Sequence, residues 1–172
     1  MAADDPHEHL GWEEFGAAAR HLAGLVVADG FEPTVLLAIA RGGLPVAGAV
    51  SYALGIKNCC AINVEYYTGI DERLDVPVIL PPALDLVELS DERLLVVDDV
   101  ADTGETLMLV ADTIRPIVAE LRTAVLYEKS RSVVKCDYVW RRTDRWIDFP
   151  WSALPPVPGA ALHVGRSQPA AP

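Results

Sequence analysis

The chain is short of cysteine, of basic residues and of long apolar runs, and each shortage removes a class of protein. Cys59, Cys60 and Cys136 are an odd set of three, the first two adjacent in an apolar context. That is neither a disulfide framework nor a zinc spacing, so reduced core thiols are expected. Lysine and arginine total 14 against 25 aspartates and glutamates, a net charge of −11, which disfavours nucleic acid held by general electrostatics. An anionic small molecule stays open, because a nest of backbone N–H groups or a bound cation overrides the overall field locally. No uninterrupted apolar stretch reaches about 18 residues, so no membrane span is expected. The acidic start at 1–8 has no basic or apolar portion of a signal peptide, which makes a cytoplasmic protein the expectation. Absent too are G-x-x-x-x-G-K-[ST], G-x-G-x-x-G and EF-hand spacing.

What is present is a hydrophobic content of 51 % over 172 residues. One domain is expected, able to bury roughly 70 % of its unfolded surface. The most informative stretch is LLVVDDVADTGET at 94–106. Four apolar residues, Leu94 to Val97, suit a strand buried on both faces of a parallel sheet, and they run into Asp98-Asp99, a small-residue turn and an amphipathic stretch from near Glu105. The acidic pair then sits at the carboxyl end of a central strand, where open α/β sheets bind ligands. The turn Ala101-Asp102-Thr103-Gly104-Glu105-Thr106 suits a phosphate: Gly104 lets the backbone bend, Thr103 and Thr106 bring hydroxyls, and the next helix presents free N–H groups. An ordinary helix-capping turn is the plainer alternative. The carboxylates would repel an oxyanion in the same pocket, so they are expected to meet hydroxyl groups or a metal one step away.

The rest of the chain repeats the pattern. His7 and His9 at the N-terminus could bind metal, but without a third ligand nearby a frayed tail over 1–10 is the expectation. Helical spacing covers 12–28 and closes at Asp29-Gly30; a buried strand at 35–40 ends in Arg41-Gly42-Gly43, a turn that can hold a second anion before a helix over 44–54. A strand over 58–64 leads into a stretch with Pro77, Pro81 and Pro82 that is long for a loop and suits a flap. A helix face from Leu107 to Ile114 and a strand at 123–127 ending in Glu128-Lys129-Ser130 follow. Three of the four tryptophans, Trp140, Trp146 and Trp151, then fall within twelve residues. They are either a satellite core or a platform on which a flat heterocycle stacks.

The 94–106 segment resembles the signature of the type I phosphoribosyltransferases: four apolar residues, two acidic ones, a small-residue loop with Thr-Gly and a closing Thr. Arg41-Gly42-Gly43 resembles the family's pyrophosphate loop, in which a non-proline cis peptide such as Ala40-Arg41 is common. Tyr138-Val139 followed by Trp146-Ile147-Asp148-x-Pro150-Trp151 resembles the base-binding hood of bacterial xanthine-guanine phosphoribosyltransferases. The resemblance implies an α/β fold, a parallel sheet flanked by helices, with a flap over about 67–92 and a hood over about 136–152 inside a domain at 11–154, and a poorly ordered tail at 155–172. It implies Mg²⁺-dependent transfer of the phosphoribosyl group of phosphoribosyl diphosphate to a 6-oxopurine by a homo-oligomer, a dimer or tetramer. By that likeness Asp98 and Asp99 hold the ribose hydroxyls and Mg²⁺, Asp102 faces N7 of the base as general acid or base, and residues 101–106 take the 5-phosphate. Arg41, Gly42 and Gly43 take the pyrophosphate, Lys129 donates to the 6-oxo group, Trp146 stacks on the ring, and Ile147 and Asp148 read its exocyclic edge. Relatives often carry Ser-Tyr at the start of the flap, where this chain has Tyr66-Tyr67-Thr68. Two rivals stay open: a regulator of the same fold that binds the phosphoribosyl ligand without turnover, and an enzyme for another base.

Overall fold

The computed structural model describes residues 6–65, 68–69, 72–73, 78–80 and 89–158. Its centre is a six-stranded sheet of order β6-β3-β2-β7-β8-β9, made of β2 (Val35–Ala40), β3 (Cys59–Glu65), β6 (Val78–Leu80), β7 (Arg93–Ala101), β8 (Glu120–Glu128) and β9 (Tyr138–Arg142). All pairings are parallel except β3 with β6. Parallel strands are covered on both faces, and the apolar residues of β2, β7 and β8 divide accordingly. Leu36, Ala38, Leu95, Val97, Ala124 and Leu126 join one core, which α1 (Trp12–Ala28) and α2 (Gly43–Leu54) cover. Val35, Leu37, Leu94, Val96 and Val125 join the other, which α3 (Glu105–Ile114) covers with Leu107, Val110, Ala111 and Ile114.

The local reasons are simple. In α1 the residues Phe15, Ala18, Ala19, Leu22, Ala23 and Val26 are buried at helical spacing, and the chain leaves the helix through Gly30 at φ 74°. The strand β7 extends past the four expected residues to Ala101, so Asp98 and Asp99 belong to the strand itself. The peptide between Ala40 and Arg41 is cis. Cys59, Cys60 and Cys136 are free thiols, and burial raises the Cys60 thiol to about 11 and the Cys136 thiol to about 12, where neither is a nucleophile at neutral pH. Among the described residues no helix is long and apolar enough to cross a membrane.

Two expectations need comment. His7–His9 is not frayed: it forms β1, which pairs in parallel with β10 (Trp146–Asp148), and Leu10 N–H donates to the Asp148 carbonyl at 3.1 Å. An unpaired edge at β10 is thereby covered, and this is the physical reason that a polar start becomes ordered. The expected flap lies mostly outside the described residues; within it, β4 (Thr68–Gly69) pairs antiparallel with β5 (Glu72–Arg73), and β6 pairs with β3. The tail beyond 158 is also outside them.

Glu128 at the end of β8 fastens the hood. It is 2 % exposed, accepts from the Cys136 N–H at 2.8 Å and from Arg142 Nε at 3.0 Å, and has Lys135 Nζ at 3.8 Å. Burial opposes its ionisation, but the Cys136 N–H and then Arg142 and Lys135 outweigh burial and hold the carboxyl below its usual value. Its contribution to stability is therefore complete above the unfolded-chain value of about 4.3 and is lost as pH falls through the lower folded value. Glu128→Ala leaves the buried Cys136 N–H without an acceptor and is expected to cost about 1–3 kcal/mol. Glu128→Gln keeps an acceptor and should cost less. Denaturant melts at pH 7 give the order, and the gap between parent and Glu128→Gln should narrow as pH falls below about 4. A gap that did not change with pH would exclude the ionised carboxylate as its source.

Candidate active site

The carboxyl ends of β2, β7 and β8 carry the candidate residues to one edge of the sheet. Asp98 and the run 100–107 line an open cavity of about 380 Å³. The loop shape comes from Gly104, at φ 80°, whose conformation a β-branched residue resists. A Cβ there would also overlap Ser132 Oγ and come within 3.0 Å of the Val134 nitrogen. Thr103 Oγ1 accepts from the Glu105 N–H at 3.4 Å at the opening of α3.

Asp98 and Asp99 are adjacent but differently employed. Asp98 Oδ1 accepts from the Asp99 N–H at 2.9 Å and faces the cavity. Asp99 lies off that cavity and sits against the Arg41-Gly42-Gly43 turn, where a Cβ on Gly42 would overlap its carboxylate, and the nearby Trp151 side chain favours its charged form. A Cβ on Gly43 would overlap the Val97 carbonyl oxygen. Two glycines are thus what brings the second turn against the end of β7. Both carboxyls are pushed above the usual carboxylate range, chiefly by burial; the neighbouring Asp99 adds to the effect on Asp98. Oxygen donors so placed are the kind a hard divalent cation takes, with its other positions left to substrate and water. Among the described residues no cluster of three or more His, Cys, Asp or Glu could enclose a metal.

Asp102 meets cations instead. Its Oδ1 accepts from Arg131 Nε at 2.8 Å and from Arg131 Nη2, and Lys129 Nζ lies 3.4 Å away. Burial works against its ionisation, yet the Arg131 hydrogen bond and the charges of Lys129 and Arg131 carry the carboxyl below its usual value. Lys129 is buried and its N–H donates to the Ala101 carbonyl at 3.0 Å. Its ammonium also stands 5.8 Å from the Trp146 ring centroid.

The tryptophans separate by exposure. Trp140 packs edge-on against Tyr127, and Trp151 stacks on Phe149 at 5.0 Å, so these two are partly buried against the α1 core. Trp146 is 62 % exposed beside Lys129, a free face for a flat ring. Its neighbours are less available. The Ile147 side chain is buried in the α1 core, which leaves only its backbone to meet a ligand. Asp148 Oδ2 has His7 Nδ1 at 2.8 Å and His9 Nδ1 at 3.0 Å. Asp98, Asp102, Lys129, Trp146 and the 101–106 loop are brought together; Asp99 stands beside Asp98 against the Gly42 turn, and Asp148 is taken by the two histidines.

Two pairings escape a reading of the sequence: Arg131 on Asp102, and the histidines on Asp148. Only the second left a signal, the alternation of His7-Glu8-His9 that suits a short strand.

Comparison with known proteins identifies the family of the chain. The profile of the phosphoribosyl transferase domain matches residues 10–155. A xanthine-guanine phosphoribosyltransferase of Ruegeria sp. is 33 % identical, over 85 % of this chain and 87 % of that one. The crystal structure of a purine phosphoribosyltransferase from Pyrococcus horikoshii superposes with a TM-score of 0.77 at 35 % identity, covering 88 % of this chain and 98 % of that one. A xanthine-guanine-hypoxanthine phosphoribosyltransferase of Helicobacter pylori shares the fold, with a TM-score of 0.71 at 23 % identity over 86 % and 94 % of the two chains. With a profile that matches most of its length, and Asp98-Asp99 and a Thr-Gly turn at the end of its central strand, this chain belongs to the phosphoribosyl transferase domain family.

Proposed function

We propose that the protein moves the 5-phosphoribosyl group of phosphoribosyl diphosphate onto a 6-oxopurine, giving a nucleoside 5′-monophosphate and pyrophosphate. The observation that carries the reading is the trio Asp102, Lys129 and Trp146, gathered beside the 101–106 loop. An ammonium donates and cannot accept, so Lys129 matches an oxo group, while the Asp102 carboxylate matches a ring N–H. The base lone pair on N9 forms the new bond to C1′, the bond from C1′ to the pyrophosphate oxygen breaks with its electron pair, and the N7 proton leaves by way of Asp102. Positioning and charge stabilisation supply most of the rate.

Loop 101–106 would take the 5-phosphate, and Arg41 with Gly42 and Gly43 the pyrophosphate. Mg²⁺ would neutralise charge on the departing pyrophosphate, and Asp98 and Asp99 are the residues that would hold it and the ribose hydroxyls. What supports the cation is the chemistry of this donor pair, two adjacent half-buried carboxyls whose charged forms are disfavoured by their surroundings and would be favoured by a cation's charge. A homo-oligomer and a cytoplasmic location belong to the same proposal.

Pyrophosphate release on mixing the protein with phosphoribosyl diphosphate, Mg²⁺ and single bases tests the reaction. Release is expected with at least one of guanine, xanthine and hypoxanthine and should stop with a chelator; release with adenine or a pyrimidine alone would sink the base assignment. Asp102→Asn should lower turnover by about 10² or more, the usual range for a general acid–base group, with little change in phosphoribosyl diphosphate affinity. Collapse of that affinity at unchanged saturated rate would make Asp102 a loop brace. In Gly104→Val the strained dihedral and the overlap with Ser132 should abolish nucleoside monophosphate binding in calorimetry while the circular dichroism stays native. Normal binding by this variant would put the 5-phosphate elsewhere.

A further inference from the structure

Asp102 is held by a residue the proposed chemistry does not mention. Arg131 lies in the connection between β8 and β9, two residues beyond Lys129. Its guanidinium reaches Oδ1 of Asp102 through both Nε and Nη2, and Lys129 Nζ approaches the same oxygen. Every donor found on Asp102 among the described residues goes to Oδ1, so Oδ2 is left to a ligand. The backbone around this contact is fastened independently of the Arg131 side chain. Lys129 N–H donates to the Ala101 carbonyl at 3.0 Å and Val133 N–H to the Thr103 carbonyl at 2.8 Å, on either side of Asp102. Arg131 itself is 61 % exposed, and no part of the core rests on it.

The charges around the pair are few. Lys129 and Arg131 face Asp102 from the β8–β9 connection, and Asp98 and Glu105 line the same cavity from β7 and α3. Asp144, in the turn before β10, accepts from the Ser130 N–H at 2.9 Å and adds a negative charge near Arg131.

We infer that Arg131 is a positioning residue for base transfer: with Lys129 it holds Oδ1 of Asp102 and so presents Oδ2, as a carboxylate, to an N–H of the incoming base. The inference rests on the reading of Asp102 as the group that meets the base. It gives the Lys129-Ser130-Arg131 segment a double task, in which Lys129 meets the base directly and Arg131 sets the acceptor beside it. A guanidinium suits this better than an ammonium, because its two N–H groups, fixed in one plane, hold Oδ1 by geometry as well as by charge, where a lysine offers only freely rotating donors.

The test is steady-state kinetics from pH 4.5 to 8.5 on the parent, Arg131→Gln, Arg131→Lys, Asp102→Asn and the double variant Arg131→Gln/Asp102→Asn. Arg131→Gln should lower kcat/KM for the base about tenfold at pH 6 and leave the KM for phosphoribosyl diphosphate within about twofold, since the phosphate loop keeps its backbone bonds. Loss of the cation also raises the Asp102 pKa, so the acid limb of the base kcat/KM profile should move up towards neutral pH. Arg131→Lys keeps the charge and should recover part of the loss. In the Asp102→Asn background Arg131→Gln should cost less than about twofold, because its partner has gone. An unchanged acid limb, a lysine variant no better than glutamine, or the same tenfold loss in the Asp102→Asn background would each overturn the inference. Its failure is distinct from failure of the functional reading. If Asp102→Asn is crippled and Arg131→Gln is not, only the inference falls; if Asp102→Asn is as active as the parent, the reading of Asp102 falls and takes the inference with it.

Discussion

The ladder between β7 and β8 is the constraint from which the rest follows. It runs in register from Arg93 opposite Glu120 to Ala101 opposite Glu128, and it does not stop where the strands end. Lys129 N–H carries it on to Ala101, and Val133 N–H closes on Thr103. A slip of one residue would send the apolar side chains of β7 to the wrong cores and separate Lys129 from Asp102. The zero exposure of Leu94, Leu95, Val96 and Val97 makes such a slip costly, each side chain being worth about 1.5–3 kcal/mol in burial. Core packing two turns of the sheet away thus sets the spacing of charged groups at its edge.

That edge works against the free energy of folding. Asp98 and Asp99 sit where burial disfavours their charge, and Gly42, Gly43 and Gly104 stand where any side chain would collide. Local departures from good packing and good solvation gather at functional sites. The surrounding elements offset them with ordinary contacts: the Trp151 side chain, which favours the charged form of Asp99, is held by Phe149 stacked on it and by Phe15 of α1 edge-on at 5.2 Å. The acidic pair is held from the hood as well as from its own strand.

Much of this was legible in the chain, for a definite reason. Where function needs a contiguous stretch, as in 94–106, strand, loop glycine and helix start are consecutive residues, and their chemistry can be read in order. The same holds for Val35–Ala40 and the Arg41-Gly42-Gly43 turn, and for α1, whose bounds match the helical spacing. What sequence could not carry were pairings over distance. His7 meets Asp148 across 141 positions, and Arg131 meets Asp102 across 29. Nor can residue type tell three tryptophans apart. Burial does that, and burial is a property of the folded hood: Trp140 and Trp151 lie in it, and Trp146 lies at its mouth.

The Asp102–Lys129 pair also bears on which bases the proposed site would reject. The two groups are 3.4 Å apart, a donor beside an acceptor. On a 6-oxopurine the exocyclic oxygen and N7 lie on one edge of the ring system, so an oxo acceptor and an N7–H donor can meet Lys129 and Asp102 together. Adenine would set an amino group against the ammonium, donor facing donor, and a buried lysine has no acceptor with which to answer. Discrimination of that kind arises from the unpaired group left in the wrong complex more than from a better contact in the right one. Lys129 is buried, its backbone is bonded to Ala101 and its ammonium is drawn to Asp102 and Trp146, so moving aside to relieve the mismatch would break these contacts. In the proposed reading, the ladder that aligns the site would also make it selective.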